Sequence, residues 1–305
     1  MSNLFKKIKG KIKRHFWPIY RIPLNLHFLW SDRSYLEYLY YHRFKKRISL
    51  SYENKDLYLF TEKIQWLKLY DRQPEYTNMA DKYNVRKYVA ETIGEEYLIP
   101  CYGVWDKFED IPFDALPNQF VLKCTHDCGS VFFCRDKKTF DIKKAKVHFK
   151  KRLSRNFYWR SRQWVYKNIK PRIIAEKYLV DESGTELKDY KIFCFNGKPK
   201  YLEVHFDRFI SHKRNLYTLQ WEYLPVSLSY PTVPDIVISK PKPLELMLEL
   251  AGKLSAGKIH VRVDMYVTNE TIYFGEFTFY SFAGFERFEP PEWDRKFGDL
   301  INLPI

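Results

Sequence analysis

A pair of β-rich runs near the end of the chain constrains its fold more than any other feature of the sequence. Residues 261–267 (VRVDMYV) and 272–278 (IYFGEFT) flank a short polar turn and predict a β-hairpin. Side chains alternate between the faces of a strand, so a loop of about three residues, 269–271, places Asp264 opposite Glu276. A loop of two residues would put the carboxylates on opposite faces, because a one-residue change in register inverts a strand.

The first of these registers gathers charge on one face of the hairpin. Arg262 shares that face with Asp264 and would lie opposite Thr278. Two neighbouring carboxylates in an apolar sheet repel each other and are costly to desolvate unless a cation lies between them. Carboxylate oxygens suit Mg²⁺, which takes one or two protein carboxylates together with phosphate oxygens. The alternative is an exposed hairpin face whose acidic side chains are solvated.

Length and composition limit the class of protein. A chain of 305 residues with 45% hydrophobic and 18% aromatic residues can bury a large core, which excludes general disorder. Its length suggests about two domains or lobes. The formal net charge of +15 favours an anionic partner: a nucleotide, an acidic sugar polymer, a nucleic acid or a lipid head group. Five scattered cysteines fit a reducing cytoplasm better than a disulfide framework.

The start of the chain is basic and amphipathic. Residues 1–17 carry apolar side chains at helical spacing but lack the uninterrupted apolar region of a signal peptide. Nowhere does the sequence contain the ~18–20 apolar residues of a membrane span. The segment could lie on an anionic membrane surface, which suits a cytoplasmic protein in peripheral contact with the inner face of the membrane. A solvated basic tail, or a helix packed on the body of the protein, explains it equally well.

The hydrophobic pattern predicts a chain of mixed helices and strands. Helices are predicted over residues 35–47, 61–70, 80–93, 140–168 and 244–254. Thr61 is expected to cap the second of them, and Gly94 to end the third. Strands are predicted over residues 98–105, 119–124, 131–134, 172–179, 189–195 and 200–206. Asn196-Gly197 joins the last two as a hairpin, and residues 207–240 are predicted to be irregular.

A lysine at the end of a buried strand marks a second site of interest. Lys123 closes the strand predicted over 119–124 and faces the polar turn 125–130. An unpaired buried ammonium costs several kcal/mol, so this side chain must reach an anion or solvent. A strand–turn–strand unit can aim backbone N–H groups at a phosphate. A single glycine in the turn is a weaker signal than a glycine-rich phosphate loop.

Taken in chain order, these pieces resemble the ATP-grasp superfamily. The short motifs are Asp81-Lys82 and residues 121–123 (VLK), 176–179 (EKYL), 189–191 (DYK), 263–264 (VD) and 275–278 (GEFT). Three longer phrases resemble its TupA-like branch, named for teichuronopeptide synthesis: residues 63–72 (KIQWLKLYDR), 120–127 (FVLKCTHD) and 189–199 (DYKIFCFNGKP). The resemblance runs from Glu62 to near Asp299 and does not include the first 50 residues.

The resemblance implies an α+β fold of two lobes, with ATP held between two antiparallel sheets. The expected divisions are a basic, aromatic, helical N-terminal segment (1–50), an N-terminal ATP-grasp portion (51–120), a small nucleotide-covering lobe (121–180) and a C-terminal catalytic lobe with the metal-binding hairpin (181–305). It also implies an ATP- and Mg²⁺-dependent ligase, which phosphorylates a carboxylate and lets an amine attack the acyl phosphate.

Eight residues match positions that contact the nucleotide in such enzymes. They are Lys82, Lys123, Glu176, Lys177, Tyr178, Leu179, Asp181 and Glu182. The resemblance implies that Lys123 contacts the α- and β-phosphates and that residues 176–179 lie at the adenine. Asp181 or Glu182 is the candidate for the ribose hydroxyls. The family's glycine-rich loop is reduced here to residues 128–130, so the covering of the phosphates is expected to differ.

The resemblance also assigns the reacting end of the site. Lys191 and Arg262 would face the γ-phosphate or the acyl phosphate, and Asp264 and Glu276 would hold magnesium. The superfamily commonly has Asn two residues after the metal-binding Glu, whereas this chain has Thr278. A hydroxyl can still approach Mg²⁺, but the pattern for a second metal is broken.

Other candidate residues have an ordinary structural explanation as well. His126 and Asp127 could serve as a base or bind the acceptor, or could belong only to a turn. Arg208 could bind a carboxylate bidentately or form a surface ion pair. The cysteines between residues 124 and 134 have loosely metal-like spacing without a second ligand pair for zinc, so reduced thiols are the alternative. The basic run 145–172 could bind nucleic acid or an acidic saccharide, or could be a solvated helix face.

The sequence therefore predicts a carboxylate–amine ligase of capsule or surface-polysaccharide assembly. Its substrates would be a uronic acid in an acidic saccharide or lipid-linked glycan, and an amino acid or amine. Rival interpretations are a sugar or glycan kinase on the same fold, a glycosyltransferase of the same pathway and a basic nucleic-acid-binding module. The absence of an Asp-x-Asp triplet counts against the glycosyltransferase.

Overall fold

The computed structural model describes four stretches of the chain: residues 27–181, 187–206, 212–236 and 238–305. Contacts divide the chain into two compact units, Met1–Leu50 and Ser51–Ile305. The predictions for Glu182 and Arg208 lie outside the described residues. In the stretches described, no helix is both long enough and apolar enough to cross a membrane.

The first unit contains helix α1 (Asp32–Phe44), which corresponds to the helix predicted over 35–47. It begins where the Oγ of Ser31 accepts the N–H of Ser34 at 3.1 Å, which satisfies one of the free donors of the first turn. It ends at Lys45, whose φ of 59° is left-handed and stops the helical path.

In the second unit, helices precede, separate and follow the strands along the chain. They are α2 (Phe60–Tyr70), α3 (Pro74–Ala80), α4 (Val85–Thr92), α5 (Ile142–Leu153), α6 (Tyr158–Ser161), α7 (Leu244–Ser255) and α8 (Glu292–Gly298). The strands are β1 (Cys101–Trp105), β2 (Phe120–Cys124), β3 (Phe132–Cys134), β4 (Ile173–Lys177), β5 (Asp189–Phe195), β6 (Lys198–Phe206), β7 (Lys213–Tyr217), β8 (Tyr223–Leu224), β9 (Ser227–Leu228), β10 (His260–Thr268), β11 (Thr271–Thr278) and β12 (Phe288–Glu289).

Two antiparallel sheets carry the second unit, which confirms the predicted α+β class. One has four strands in the order β1-β4-β2-β3, and the other has six in the order β11-β10-β5-β6-β7-β8. A small third sheet pairs β12 with β9. Because β1 to β4 precede β5 along the chain, each large sheet is built from one continuous part of the sequence.

The six-stranded sheet is organised around β5, all of whose residues are buried. Its hairpin to β6 turns at Asn196 and Gly197, with φ of 49° and 73°, as a two-residue turn requires, and this confirms the predicted hairpin. The other edge of β5 pairs with β10, so the C-terminal hairpin is attached to the most buried strand. Helix α7 packs against β5, β6 and β10 with its apolar stripe, which includes Met247 and Leu250.

The four-stranded sheet has an apolar face and a charged face. Phe120 and Leu122 of β2 pack with Phe149 of α5 in one cluster. Ile173 and Ala175 of β4 belong to the same cluster. Since side chains alternate along a strand, Lys123 and Glu176 point to the opposite face, away from α5.

The helix predicted over 80–93 begins only at Val85, as α4, and a separate helix, α3, ends at Ala80. The Oδ1 of Asp81 accepts the N–H groups of Tyr83 and Asn84 at 2.8 and 3.1 Å. Such local bonds compete with the helical hydrogen bonds, so α3 ends before this turn and α4 begins after it. Gly94 ends α4 as predicted: its φ is 120°, and its N–H donates to backbone carbonyls of the last helical turn.

Three further sequence predictions are wrong in detail. The helix expected over 140–168 breaks after α5, and Asn156 accepts the N–H of Tyr158 where α6 begins. Thr61 lies inside α2, and its N–H and hydroxyl donate to the Asp294 carboxylate at 2.9 and 2.7 Å. The described part of 207–240 contains β7, β8 and β9. The sequence hid β7 because its buried residues include Arg214 and Asn215, which are not apolar.

The C-terminal hairpin has the first of the two proposed registers, but reaches it by an unexpected route. Its loop contains only two residues, Asn269 and Glu270, both left-handed with φ of 48° and 66°. Such a loop would invert the register, but β11 contains one extra residue, Gly275, as a β-bulge. The bulge restores the pairing of Asp264 with Glu276.

Gly275→Ala tests the importance of this bulge. A Cβ at Gly275 would lie 3.0 Å from the carbonyl oxygen of Asp264 and 3.0 Å from the Cε2 of Tyr266. We expect the free energy of unfolding, measured by urea denaturation, to fall by about 1–3 kcal/mol, because the close-packed bulge must open. Gly252→Ala is the matched control, since its Cβ would meet only the Cδ of Pro199 at 3.8 Å in a helix that favours alanine. A loss no larger than the control's would contradict the tight packing of the bulge.

Candidate active site

Charged side chains form a row across four neighbouring strands of the six-stranded sheet. The strand registers pair Glu203 of β6 with Lys191 of β5, and Lys191 with Asp264 of β10. Asp264 in turn pairs with Glu276 of β11. The first three side chains are almost completely buried. Buried charges are stable only when they are paired, so the row must contain both signs.

Asp264 is the centre of the row and is held by two cations. Its Oδ1 accepts from the Nε of Arg262 at 2.7 Å, and its Oδ2 accepts from the Nη2 of Arg262 at 2.8 Å. The same Oδ2 lies 2.5 Å from the Nζ of Lys191, which also lies 2.7 Å from a carboxylate oxygen of Asp189. Burial alone would lower the pKa of Arg262, but the adjacent Asp264 carboxylate raises it above its ordinary value. The arginine is therefore permanently charged.

Glu276 is the accessible member of the row. About a third of its side chain is exposed (32%), and its Oε2 lies 3.3 Å from the Nζ of Lys82. Burial favours the neutral acid, but the charges of Lys82, Lys191 and Arg262 lower the pKa of Glu276 below its ordinary value. The same pairing raises the pKa of Lys82 against the effect of its burial. Both groups are thus ionised at neutral pH.

Arg262 is positioned by hydroxyl groups as well as by Asp264. Thr278, its cross-strand partner, accepts from Nη2 at 3.1 Å, and Ser281 accepts from Nη1 at 3.0 Å. The hydroxyl of Ser281 donates to Glu286 at 3.1 Å. These bonds fix the guanidinium plane against the sheet, so the arginine presents one fixed orientation.

The sequence analysis missed a second buried charge network beside Arg262. Arg214 of β7 lies 3.2 Å from Glu203 and 3.3 Å from Glu286, and Glu203 also lies 2.8 Å from His205. Burial and the neighbouring Glu203 raise the pKa of Glu286 to about 7, against the opposing effect of Arg214. The only available sequence signal was the charged pattern within β6 and β7, since these residues meet through tertiary contacts.

The four-stranded sheet presents its own ion pair on its charged face. The Nζ of Lys123 donates to the Oε2 of Glu176 at 2.7 Å. The Nη1 of Arg86 lies 3.9 Å from the other carboxylate oxygen of Glu176. The structure thus brings together two of the residues predicted to contact the nucleotide.

Four further residues predicted at the nucleotide lie at the end of β4 or shortly after it. The N–H of Lys177 donates to the carbonyl of Pro100 at 2.9 Å, while its side chain is exposed. Tyr178 and Leu179 are partly buried, and the ring of Tyr178 lies edge-on to that of Phe133. Asp181 is buried and pairs with Lys188 at 2.8 Å. Its carboxylate therefore already has a cationic partner.

The turn after β2 connects the two sheets. The carbonyl of Asp127 accepts from the Nζ of Lys82 at 2.7 Å, and its carboxylate lies 3.2 Å from the Nη1 of Arg152. His126 is buried with its Nε2 3.2 Å from the carbonyl of Arg152, and burial lowers the pKa of its imidazole. The contacts of His126 and Asp127 are those of a structural turn, which is one of the two interpretations given for these residues from the sequence.

The carboxylates of the hairpin fit magnesium, whereas the cysteines between residues 124 and 134 lack the further ligands of a zinc site among the described residues. The described residues contain no group of three or more His, Cys, Asp or Glu side chains that could hold a metal ion. Burial raises the pKa of the Cys134 thiol, and that of Cys124 to about 12, so both remain protonated. Mg²⁺ needs only one or two protein carboxylates when phosphate oxygens and water complete its shell. Asp264 and Glu276 meet that requirement.

Comparison with known proteins agrees with this arrangement. The family model described as TupA-like ATPgrasp matches residues 62–302, well over half of the chain. A comparison with curated proteins gives no match.

Similar solved structures of low sequence identity include two ligases and a synthetase. D-alanine–D-alanine ligase from Bacillus anthracis is 18% identical, over 79% of this chain and 67% of that chain, with a TM-score of 0.42. L-amino acid ligase from Bacillus licheniformis is 15% identical, over 71% and 47%, with a TM-score of 0.42. N5-carboxyaminoimidazole synthetase from Staphylococcus aureus complexed with ADP is 13% identical, over 70% and 50%, with a TM-score of 0.41. The chain thus spans about half the length of the last two.

The match of the family model confirms the resemblance seen in the sequence motifs. The two antiparallel sheets and the hairpin that pairs Asp264 with Glu276 are consistent with that match. The chain belongs to the TupA-like ATP-grasp family.

Proposed function

We propose that the protein is an ATP- and Mg²⁺-dependent carboxylate–amine ligase. The observation that carries this proposal is the cross-strand pair Asp264 and Glu276, with Lys191 and Arg262 in contact with the first of them. In such a site, two carboxylates can hold the metal while two cations face the phosphoryl group. Membership of an ATP-grasp family supports the use of ATP.

The chemistry proceeds in two steps. A carboxylate oxygen of the substrate attacks the γ-phosphorus of ATP, the bond from that phosphorus to the bridging oxygen breaks, and ADP leaves. The amine nitrogen then attacks the carbonyl carbon of the acyl phosphate, phosphate leaves, and the nitrogen loses a proton. When bound, Mg²⁺ would neutralise phosphate charge and align the transferred group. Lys191 and Arg262 would stabilise the negative charge that develops on the phosphoryl oxygens.

The contacts of Asp264 suggest how the site accommodates both nucleotide and metal. Its carboxylate is now shared between Lys191 and Arg262. A metal ion on Asp264 would replace part of that neutralisation and leave the two cations available to the γ-phosphate or acyl phosphate. The hydroxyl of Thr278 accepts from Arg262, and its second lone pair can approach the metal.

The nucleotide would lie between the charged face of the four-stranded sheet and the hairpin. Lys123 would contact the α- and β-phosphates, and Lys82 would approach the phosphates from the turn. The backbone of residues 176–179 would bind the adenine, and Asp181 or Glu182 the ribose. His126 and Asp127, in the turn beside Lys82, would lie closest to the incoming substrate.

We propose a uronic acid of a surface or capsule polysaccharide as the carboxylate substrate, and an amino acid or amine as the acceptor. The net charge of +15 supports an acidic, polymeric or lipid-linked substrate. The basic, amphipathic start of the sequence supports peripheral contact with the inner face of the cytoplasmic membrane.

Lys123→Met should weaken the binding of ATP in the presence of Mg²⁺. Loss of a charge-assisted hydrogen bond to phosphate removes about 1.5–3 kcal/mol, or roughly ten- to a hundredfold in the dissociation constant. Isothermal titration calorimetry measures this. The matched control is Lys177→Met, since that side chain is exposed and the residue would act only through its backbone. Equal weakening by both variants, or no binding by the folded wild-type protein, would contradict the assignment.

Trapping with hydroxylamine separates a ligase from a kinase on the same fold. After incubation with ATP, Mg²⁺, galacturonic acid and hydroxylamine, we expect a hydroxamate, because only an acyl phosphate reacts in this way. Mixtures without ATP, and the Glu276→Gln variant, should give none. A sugar phosphate in place of the hydroxamate would favour the kinase.

Asp264→Asn should destabilise the protein in the absence of any ligand. It leaves Lys191 and Arg262 as neighbouring buried cations with one anionic partner fewer, and breaking such a pair costs about 3–5 kcal/mol. Glu276→Gln is the comparison: its side chain is a third exposed, so its ion pair contributes roughly 1 kcal/mol or less. Urea denaturation of both variants provides the measurement. Similar losses for the two would show that Asp264 is not the centre of charge balance.

A further inference from the structure

Helix α5 presents a face composed almost entirely of lysine. Its sequence, IKKAKVHFKKRL, contains no acidic residue. Ala145 and Phe149 are buried in the core of the four-stranded sheet. The exposed lysines are Lys143, Lys144, Lys146, Lys150 and Lys151. The helix is thus held by its apolar side and offers its charge to solvent.

The protein neutralises little of this charge. Lys146 pairs with Glu109 at 2.9 Å, but both side chains are about half exposed, so the pair is weak. Lys143, Lys144 and Lys151 form no ion pair with any residue in the described parts of the chain. Like charges three and four positions apart on a helix destabilise it. A bound polyanion would remove that repulsion.

The last turn of α5 contacts the turn that follows β2. Arg152, in the last turn of α5, donates to the carboxylate of Asp127 at 3.2 Å and to the carbonyl of Gly129 at 2.8 Å. The carbonyl of Asp127 accepts from Lys82, which pairs with Glu276 of the hairpin. A continuous series of contacts thus joins the end of this helix to the pair of carboxylates.

We propose that the lysine face of α5 binds the acidic sugar polymer that carries the substrate carboxylate. This inference rests on the proposed function. Twelve residues of helix span ~18 Å, enough to contact several sugars of an extended chain.

The chemistry of the face favours a polycarboxylate over other polyanions. The exposed apolar residues Ile142 and Val147 are five positions apart, ~140° around the helix, so they form no stripe that could enter a bilayer. Proteins bind single-stranded nucleic acids through exposed aromatic rings, whereas the phenylalanine of α5, Phe149, is buried. Lysine side chains carry a point charge on a flexible stem, so they can pair with carboxylates spaced along a flexible polymer without a fixed geometry.

Binding of a fluorescently labelled oligogalacturonate, followed by anisotropy at several salt concentrations, tests the proposal. The test variant carries Lys143→Gln, Lys144→Gln, Lys150→Gln and Lys151→Gln. The matched control loses the same charge from exposed lysines elsewhere: Lys87→Gln, Lys240→Gln, Lys242→Gln and Lys253→Gln. We expect the dissociation constant to rise about tenfold or more in the test variant, with a weaker salt dependence, and less than about twofold in the control.

Equal losses in the two variants would mean that net charge alone attracts the polymer, and would overturn the proposal. So would tighter α5-dependent binding of single-stranded DNA, or of vesicles containing phosphatidylglycerol, than of the oligogalacturonate at the same salt concentration. Calorimetry with Mg²⁺ and ATP on the same preparations keeps the two proposals separate. Oligogalacturonate binding that depends on α5 without any ATP binding would refute the ligase and leave the polymer site; ATP binding without polymer binding would do the reverse.

Discussion

The six-stranded sheet depends on the neutralisation of one buried carboxylate, that of Asp264. Asp264 is buried on β10, between β11 and β5, where an unpaired charge would be costly to desolvate. Arg262, two residues earlier on the same strand, binds this carboxylate through two nitrogens, and Lys191 pairs with it from the neighbouring strand. Each cation is in turn held by further acids or hydroxyls. The interior is therefore a balanced network of charges, built where an ordinary sheet would place apolar side chains.

A bulge of one residue gives this network its geometry. The tight two-residue turn at Asn269 and Glu270 suits the twist of the strands but sets a register that would separate the carboxylates. Gly275 corrects the register close to the acids, and its missing Cβ lets the carbonyl of Asp264 approach closely. Turn and bulge are thus complementary: the turn stabilises the end of the hairpin, and the bulge aligns the carboxylates.

Some parts of this structure could be predicted from the sequence because they follow local rules. The Asn196-Gly197 hairpin and the end of α4 at Gly94 depend on backbone preferences that single residues carry. The pairing of Asp264 with Glu276 was one of two open registers, and no pattern in the sequence distinguishes a bulge at Gly275 from an ordinary strand residue. The network of Glu203, Arg214 and Glu286 depends on contacts between distant elements, which residue spacing does not encode.

The ammonium of Lys82 links the two large sheets. It bonds at once to the carbonyl of Asp127, on the turn of the four-stranded sheet, and to Glu276, on the edge strand of the six-stranded sheet. This one partly exposed ammonium therefore contacts both sheets. A movement that separates the two sheets at this point breaks one of the two contacts of Lys82, unless a new anion replaces the lost partner. An anion bound beside Lys82 would therefore make such a separation less costly.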